Sequence, residues 1–379
     1  MIKKILHTEW SGGFGGQEIR TLSEMQGLKA RGYWVGLAAA PHTPIYQKAE
    51  KLGLPVFALP FRGNLDLKTL FGLIKIIRAE KIDLVNTHSG KDTYVGGLAA
   101  KLCRIKFIRT RHLSYRLKKS SLIINRLADH VITTGEKTAR QMIELGVVKK
   151  NKISVIPTYP DPMIFNPEKL DRLEAKKFLM EKFKIQPDEI IIGTVAFLRK
   201  MKRVDLFVLL AERILNWAEE NKYKYKYKYK FKFLIIGDGP CFNELAEMVN
   251  SKKLEEKIIF AGQVEHPEFY LAGLDIGLLT SDSGEASPQA LSQYLLMGLP
   301  SLVSDICALP NLKLSESYQC VFLDHAVEKS VDYFFKKLVP MILNLEKIKR
   351  EAMTLRPVIL EKYSSKIMLD QIEKVLSEI

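Results

Sequence analysis

The chain has 379 residues, of which 47% are hydrophobic and 27% charged, and its formal net charge is +15. This length is typical of two domains, and the composition is sufficient for two buried cores. No apolar run reaches the roughly 18 residues that span a bilayer, so the sequence excludes a transmembrane helix.

The N-terminal stretch MIKKILHTEW is charged and lacks an apolar segment, so we expect no signal peptide and a cytoplasmic location. The four cysteines are scattered along the chain without a CxxC pair. In a cytoplasmic protein we expect them to be reduced.

Short apolar strands alternate with amphipathic helices over residues 1–157. These strands are continuous apolar runs, which is typical of a parallel sheet covered on both faces. The pattern predicts an α/β domain with a doubly wound, Rossmann-like sheet. The predicted strands lie at residues 2–8, 34–39, 56–59, 83–87, 107–110, 130–134 and 154–156.

The segment IPTYPDPMIFNP contains four prolines, which are incompatible with a regular helix or central strand, and it predicts a linker at residues 158–167. A second domain of the same kind is predicted at residues 168–356, and residues 357–379 are predicted to form a helix that crosses back to the first domain. Two such sheets in tandem predict a ligand site in the cleft where the domains face each other. Strands of the second domain are predicted at residues 190–196, 231–236, 258–261, 276–279, 301–303 and 320–323.

Lysine alternates with aromatic residues in KYKYKYKYKFK, residues 222–232. Alternation of this kind predicts an extension of the strand that follows. It also suits nucleic-acid binding by charge and stacking. Because the run leads directly into a core strand, we favour an exposed loop and strand entry.

A glycine-rich turn, GGFGG at residues 12–16, ends the first strand and opens a helix. The N-terminus of such a helix presents free N–H groups and a positive dipole end to an anion. The spacing is not GxGxxG, and no acidic residue ends the second strand. These features argue against a nicotinamide-dependent dehydrogenase.

Four cations, Arg199, Lys200, Lys202 and Arg203, follow the first strand of the second domain. Ligands of this architecture bind at the carboxyl ends of the strands, where such cations can neutralise a leaving diphosphate. A solvated basic loop explains this segment alone equally well.

Two further motifs fall at the same predicted edge. Gly237 and Gly239 allow a close backbone approach. Glu285 comes just before a helix that is predicted to begin at Ser287 and Pro288. A carboxylate in that place can accept hydrogen bonds from two vicinal hydroxyls of a sugar.

Taken in order, these motifs resemble the retaining glycosyltransferases of family 4 over essentially the whole chain. That family has the GT-B fold, in which two Rossmann-like, doubly wound domains face each other across a cleft. The last of the matching stretches looks like the family's E-x7-E signature. The stretches are GGFGGQE near the N-terminus, TRH at 110–112, GTVAFLRKMKRVD at 193–205, LIIGDGP at 234–240 and EASPQALSQYLLMGLPSLVSD at 285–305.

The resemblance implies roles for ten residues. In catalysis, Arg199 and Lys202 would hold the donor diphosphate, Glu285 would bind hydroxyls of the donor sugar, and His112 would face the reacting sugar. The implied donor-binding residues are Gly15 and Gly16 at the phosphate or acceptor, Gly262 and Val264 at the nucleobase, and Gly237 and Gln293.

Three positions depart from the family pattern. The second glutamate of the signature, which usually holds the ribose, is Gln293, so a ribose contact would lack a charge. Phe197 stands where arginine is common, which places more of the phosphate load on Arg199 and Lys202. The usual glycine pair after the last signature strand is replaced near Cys307 and Ala308.

The family's chemistry implies sugar transfer with retention from a nucleotide-diphosphate-sugar to a glycan or lipid-linked acceptor. It implies no cofactor and no obligatory metal, and the sequence contains no Asp-x-Asp motif or ligand-spaced cluster. Two alternatives are a sugar-nucleotide epimerase or hydrolase of the same fold, and a non-catalytic nucleotide- or nucleic-acid-binding protein.

The segment Lys101–Arg126 contains nine basic residues and no acidic ones. Such a segment can rest on anionic lipid headgroups. It predicts peripheral contact with the inner face of the cytoplasmic membrane and an acceptor used in lipopolysaccharide or other surface polysaccharide synthesis. A basic helix packed on its own domain is an equal alternative. We expect no nucleic-acid partner.

Overall fold

The computed structural model describes residues 2–112, 122–225, 229–283, 289–307 and 312–379. These residues form two compact units. One unit comprises the chain up to Tyr159 together with Ser365–Ile379, and the other comprises Pro160–Ser364.

The first unit is built on a seven-stranded parallel sheet in the order β3-β2-β1-β4-β5-β6-β7. Both faces of the sheet are covered by helices, which is why its strands read as unbroken apolar runs. The strands are β1 (Lys4–Glu9), β2 (Trp34–Ala39), β3 (Val56–Ala58), β4 (Leu84–Thr87), β5 (Lys106–Arg111), β6 (His130–Thr133) and β7 (Ile153–Val155). The helices among them are α1 (Gly16–Ala30), α2 (Pro44–Lys51), α3 (Leu67–Glu80), α4 (Gly90–Leu102), α5 (Leu122–Arg126) and α6 (Glu136–Glu144).

The second unit contains a six-stranded parallel sheet in the order β10-β9-β8-β11-β12-β13. In both units the strand order reverses beside the first strand, and in this architecture ligands bind at that point along the carboxyl edge. The strands are β8 (Glu189–Val195), β9 (Lys230–Ile236), β10 (Ile258–Gly262), β11 (Ile276–Leu279), β12 (Ser301–Ser304) and β13 (Tyr318–Val321). The helices are α7 (Arg172–Phe183), α8 (Val204–Glu220), α9 (Phe242–Ser251), α10 (Pro267–Gly273), α11 (Gln289–Leu296), α12 (Val327–Leu343) and α13 (Leu345–Lys362).

The last helix, α14 (Ser365–Glu378), packs on α1 of the first unit. Leu369 lies so close to Gly27 that a Cβ at that glycine would overlap it. Arg31 at the end of α1 forms ion pairs with Asp370 and Glu373. Apolar contact and charge pairing therefore both hold α14 in place.

The boundary between the last two helices differs from the prediction. The predicted boundary at residue 357 falls inside α13, which continues past Pro357 and ends at Lys362. Arg356 ties this helix to the second unit, since its guanidinium donates hydrogen bonds to the carbonyl oxygens of Phe165 and Leu296. The crossing helix therefore begins later, at Ser365.

The predicted linker at 158–167 lies mostly in the second unit. Its residues from Pro160 onward belong to the second unit, and the side chain of Phe165 is buried there. In the lysine–aromatic run, β9 begins at Lys230, and burial alternates from exposed Lys230 to buried Phe231. Residues 226–228 of that run lie outside the described residues.

Candidate active site

A buried carboxylate anchors the glycine-rich turn between β1 and α1. Glu9, the last residue of β1, accepts hydrogen bonds from the backbone N–H groups of Trp10 (2.9 Å) and Ser11 (2.8 Å), which lead into the turn, and from the side chain of Gln17 (2.6 Å). Glu9 thereby connects the end of β1 to the start of α1 across the turn. Gly15 and Gly16 stand at the N-terminus of α1, and the backbone N–H of Gly15 donates to the Glu18 carboxylate (2.8 Å).

The environment of Glu9 favours its protonated form. Burial, together with the nearby carboxylates of Asp92 and Glu18, raises the pKa of Glu9 from 4.5 to about 8. Its hydrogen bonds act in the opposite direction but are the smaller contribution. The folded protein therefore binds a proton that the unfolded chain releases between these two pH values.

We expect the contribution of Glu9 to the free energy of unfolding to decrease as pH rises from about 5 to 8, because the unfolded chain releases the Glu9 proton over that window. Glu9→Gln keeps an acceptor oxygen and removes the titration. Its stability relative to the parent should therefore rise across the window by on the order of 2 kcal/mol. Urea unfolding at pH 5, 6.5 and 8 measures this change. Exposed Glu50→Gln is the control, and equal pH slopes for Glu9→Gln and the parent would contradict the assignment.

Three histidines of the first unit form a hydrogen-bonded series, which we call the histidine chain (His7, His88 and His112). His7 lies in β1, while His88 and His112 directly follow β4 and β5. Nδ1 of His7 is 2.9 Å from Nε2 of His88, and Nδ1 of His88 is 3.0 Å from Nε2 of His112. The ring planes lie 10° and 29° apart at these two junctions. The sequence had indicated His112 alone.

The loop that carries His88 is held by Asp92 at the start of α4. The Asp92 carboxylate accepts hydrogen bonds from the hydroxyl of Thr8 (2.8 Å) and from the backbone N–H of His88 (2.9 Å). Arg109 of β5 is buried nearby and donates to the carbonyl oxygen of Thr87 (3.0 Å). Side chains of β1, α4 and β5 thus hold the loop that carries the central ring of the histidine chain.

In the second unit, the basic residues after β8 differ in what they contact. Arg203 forms ion pairs with Asp205 (3.0 Å) and Asp282 (3.2 Å), so it braces the turn. Arg199 is exposed, and its guanidinium lies 4.5 Å from the ring centroid of Phe197. An arginine stacked in this way keeps its N–H donors available for a phosphate.

Lys202 closes a 3-10 turn, Lys200–Lys202, and its side chain is half-buried. The turn is bonded to the segment that follows β11. The Thr280 hydroxyl donates to the carbonyl oxygens of Lys202 (3.1 Å) and Arg203 (2.8 Å), and the Asp282 backbone N–H donates to that of Met201 (3.0 Å). The loop that leads to residue 285 therefore starts against the basic turn.

Glu285 itself lies outside the described residues, as do the rest of 284–288. Asp282, three positions before it, contacts the basic turn through both its backbone N–H and its carboxylate. The role of Glu285 stays a prediction.

Glycine is required at positions 237 and 239 because the backbone there packs directly on the backbone that follows β8. Gly237 has φ +134° and Gly239 φ +158°, and a Cβ at either position would overlap the main chain of Ala196 or Leu198. The backbone N–H of Leu198 donates to the carbonyl oxygen of Asp238 at 2.9 Å. The role of Gly237 in donor binding stays a prediction beside this structural one.

Gly237→Ala should lower the free energy of unfolding by about 1–3 kcal/mol, because the added methyl group meets fixed backbone and the φ angle is strained. Denaturant unfolding measures the change. Gly63→Ala is the matched control, since a Cβ there has nothing within 4 Å. Equal stability of the two variants would show that the turn after β9 accommodates the added methyl group without loss of stability. Weaker donor binding by Gly237→Ala would then report on a ligand contact.

The segment after β10 borders a cavity of about 580 Å³. Gly262 has a left-handed backbone (φ +69°) and accepts a hydrogen bond from the backbone N–H of Gly237 (2.8 Å). Val264 is half-buried and lines the cavity together with Phe178 and Tyr270. This is a concave, aromatic-lined recess beside the segment predicted to meet a nucleobase.

Gln293 is half-buried on α11. The following residue, Tyr294, ties that helix to the end of β8, since its hydroxyl accepts a hydrogen bond from the backbone N–H of Val195 at 2.8 Å. Helix α11 is therefore fixed relative to the strand that leads into the basic turn.

The basic segment Lys101–Arg126 is described only in part, because residues 113–121 lie outside the described residues. Lys101 forms an ion pair with Asp129 (2.8 Å), and Arg126 donates to the carbonyl oxygen of Gly146 (3.1 Å). These two cations are engaged within their own unit. Arg104 and Lys106 are exposed.

None of the described helices combines the length and apolarity that crossing a bilayer requires.

The two sheets define a protein with the GT-B fold. HepE from Anabaena, solved in complex with UDP and glucose, is similar with a TM-score of 0.80 at 16% identity over 100% of both chains. A glycosyltransferase from Rickettsia africae has a TM-score of 0.82 at 18% identity, and the match covers 100% of this chain and 98% of that one. At these identities the similarity establishes the fold.

Residues 14–162 match the Glycosyltransferase Family 4 domain, and residues 175–329 match the Glycosyl transferases group 1 domain. The chain therefore belongs to glycosyltransferase family 4.

Two relatives from the sequence comparison are matched over different shares of their length. The UDP-Gal:alpha-D-GlcNAc-diphosphoundecaprenol alpha-1,3-galactosyltransferase of Escherichia coli is 24% identical over 320 residues, which is 80% of this chain and 79% of that protein. A phosphatidylinositol N-acetylglucosaminyltransferase subunit of Saccharomyces cerevisiae is 25% identical over 231 residues. That match covers 56% of this chain and 47% of the yeast protein, so the chain spans about half of that relative.

Proposed function

We propose that this protein is a retaining, metal-independent glycosyltransferase that acts in cell-surface polysaccharide or lipopolysaccharide synthesis. It moves a sugar from a nucleotide-diphosphate donor to a glycan or lipid-linked acceptor. The observation that carries this proposal is the basic turn after β8, which is hydrogen-bonded to the start of the loop that leads to Glu285.

The second unit supplies the groups for the donor. Arg199 and Lys202 hold the diphosphate and stabilise it as the bond from the anomeric carbon to the phosphate oxygen breaks. Glu285 accepts hydrogen bonds from the sugar hydroxyls. Gln293 contacts the ribose, and the segment around Val264 contacts the base.

The first unit supplies groups for the reacting sugar and acceptor. The turn at Gly15 and Gly16 approaches the phosphate or acceptor, and His112 faces the sugar. The acceptor oxygen forms the new glycosidic bond, and its proton passes to the departing diphosphate on the same face. The chemistry therefore needs no protein nucleophile.

The Escherichia coli relative suggests the first substrates to test, because its match covers most of both chains. We propose a UDP-sugar donor and a sugar-diphospholipid acceptor. The segment Lys101–Arg126 exposes two apolar residues, Leu102 on α4 and Ile123 on α5, together with Arg104 and Lys106, and this supports contact with anionic lipid on the cytoplasmic face. Flotation with anionic vesicles at low salt tests this contact, and an absence of binding would remove it from the proposal.

The function is tested by incubating the protein with UDP-galactose, UDP-glucose, UDP-N-acetylglucosamine or GDP-mannose in the presence of EDTA. GlcNAc-diphosphoundecaprenol serves as the acceptor. We expect a glycosylated lipid with the donor's anomeric configuration, together with stoichiometric release of the nucleoside diphosphate. Nucleotide release with free sugar as the product would indicate a hydrolase instead. Transfer that requires added divalent ions would contradict metal independence.

A further inference from the structure

An exposed apolar patch lies at the start of α3 in the first unit. The side chains of Leu65, Leu67 and Phe71 are 83, 63 and 65% exposed. Single exposed apolar residues are common on protein surfaces, but three between positions 65 and 71 form a patch. The core contacts of α3 are made from its other side, where Leu70 and Leu73 are buried. The patch therefore contributes little to the packing of this unit.

The outward side of α3 is also positively charged. At about 100° per residue, an arc of roughly 100° around the helix contains five residues, which we call the α3 face (Leu67, Lys68, Phe71, Lys75 and Arg78). All five are exposed, and no acidic residue falls within the arc. The apolar members stand in the first two turns, and two of the three cations stand further along the helix.

The apolar part of the α3 face lies toward the carboxyl edge of the sheet. A helix that follows a parallel strand begins at this edge and returns to the amino edge. Because α3 follows β3, Leu67 is near the carboxyl edge, which is also the edge of the glycine-rich turn. Leu102 and Arg104 stand where α4 ends, at the amino edge. The α3 face is therefore a surface separate from the end of α4.

An anionic bilayer matches both components of the α3 face. Lysine and arginine side chains meet the headgroup phosphates, while leucine and phenylalanine enter the boundary with the acyl chains. With 14 residues, three of them cationic, α3 suits the plane of the interface and not a path across the bilayer. A second copy of this chain fits less well, since a two-fold contact through this face would bring its cations against one another.

We propose that the α3 face, together with Leu65, is the surface by which this protein docks on an anionic bilayer, with the first turns of α3 in the headgroup region. Docking through this surface keeps the carboxyl edge of the first sheet close to the membrane, so that a lipid-linked acceptor can reach it without leaving the bilayer. The inference rests on the proposed function for the acceptor, but vesicle binding is a property of the protein without substrate.

Flotation with vesicles of phosphatidylcholine and phosphatidylglycerol measures docking. We expect Leu67→Gln/Phe71→Gln to lower the partition coefficient at least about tenfold, because two apolar side chains no longer enter the interface. Leu145→Gln/Leu173→Gln, at two exposed leucines outside the α3 face, is the matched control and should bind as the parent does.

The contribution of charge is measured with a second variant. Lys75→Gln/Arg78→Gln should lower binding to the mixed vesicles by about tenfold or more, and the parent should bind vesicles of phosphatidylcholine alone only weakly. Insertion is followed with Phe71→Trp. Its added fluorescence over the three native tryptophans should be quenched by lipids with brominated acyl chains, while that of Leu173→Trp should not.

Sugar transfer separates docking from damage to the site. With the acceptor embedded in mixed vesicles, Leu67→Gln/Phe71→Gln should raise the apparent acceptor KM at least about tenfold. With a short-chain, water-soluble acceptor, this variant and the parent should have the same kcat and KM.

Parental vesicle binding by Leu67→Gln/Phe71→Gln would overturn the inference. Loss of binding in Leu102→Gln/Ile123→Gln alone would also overturn it and would assign docking to the segment Lys101–Arg126. A dimer in light scattering that Leu67→Gln/Phe71→Gln dissociates, without any change in vesicle binding, would assign the face to a second copy instead. A parent protein that docks through the α3 face but transfers no sugar would defeat the proposed function and leave the docking surface standing.

Discussion

Lys202→Met is expected to lower kcat for sugar transfer by about 10²–10³-fold while the protein remains folded. Methionine keeps most of the aliphatic length of lysine and removes the charge. The negative charge on the diphosphate grows as the sugar departs, so a cation at Lys202 stabilises the transition state more than the ground state. The donor KM should therefore change much less than kcat.

Steady-state kinetics with the best donor measure this effect, and Lys200→Met is the matched control. Lys200 belongs to the same 3-10 turn and is exposed. Turnover by Lys202→Met close to that of Lys200→Met would show that the diphosphate is held elsewhere. Arg203 is unsuitable as a control, because its ion pairs with Asp205 and Asp282 brace the turn.

Arg20→Met is expected to destabilise the first unit by about 3–5 kcal/mol, which is the largest effect on stability that we predict. The Arg20 guanidinium is fully buried, lies 3.6 Å from the Glu24 carboxylate and donates to the carbonyl oxygen of Ile156 (2.7 Å). Removing it leaves Glu24 as an uncompensated buried carboxyl group and leaves the Ile156 carbonyl without this donor.

Denaturant unfolding, followed by probes in each unit, measures this loss. The double variant Arg20→Met/Glu24→Gln should recover part of it, because glutamine keeps the acceptor for the Asn86 side chain without a buried charge. Exposed Gln26→Met on the same helix is the control. A single variant as stable as this control would mean that water or a shift of α1 replaces the ion pair.

The fold was predictable because each buried strand is an apolar run bounded by polar or glycine-rich turns. The predicted strand at 276–279 coincides with β11, and the others fall within a few residues of their counterparts. The two-domain GT-B prediction is confirmed by the two parallel sheets and their structural relatives. The break after Lys362 was missed, since Pro357 is the stronger stop signal in the sequence yet lies inside α13.

The sequence indicates only those parts of the candidate site that form local motifs. The basic turn after β8 was found because four cations stand together. The sequence does not show that Arg203 braces this turn, because its pairing with Asp282 joins residues 79 positions apart. The link between His7 and His88 spans 81 positions and depends on β1 and β4 being neighbours. No periodicity within either strand indicates such a contact.

The attachment of α14 to α1 has a consequence for biosynthesis. The surface of the first unit around Gly27 and Arg31 is completed only by residues 365–378, which the ribosome makes after the second unit. Synthesis of the whole second unit intervenes, which takes roughly ten seconds or more at elongation rates of about 5–20 residues per second. During that interval the nascent first unit exposes the surface around Gly27 and Arg31, where a chaperone can bind until residues 365–378 emerge.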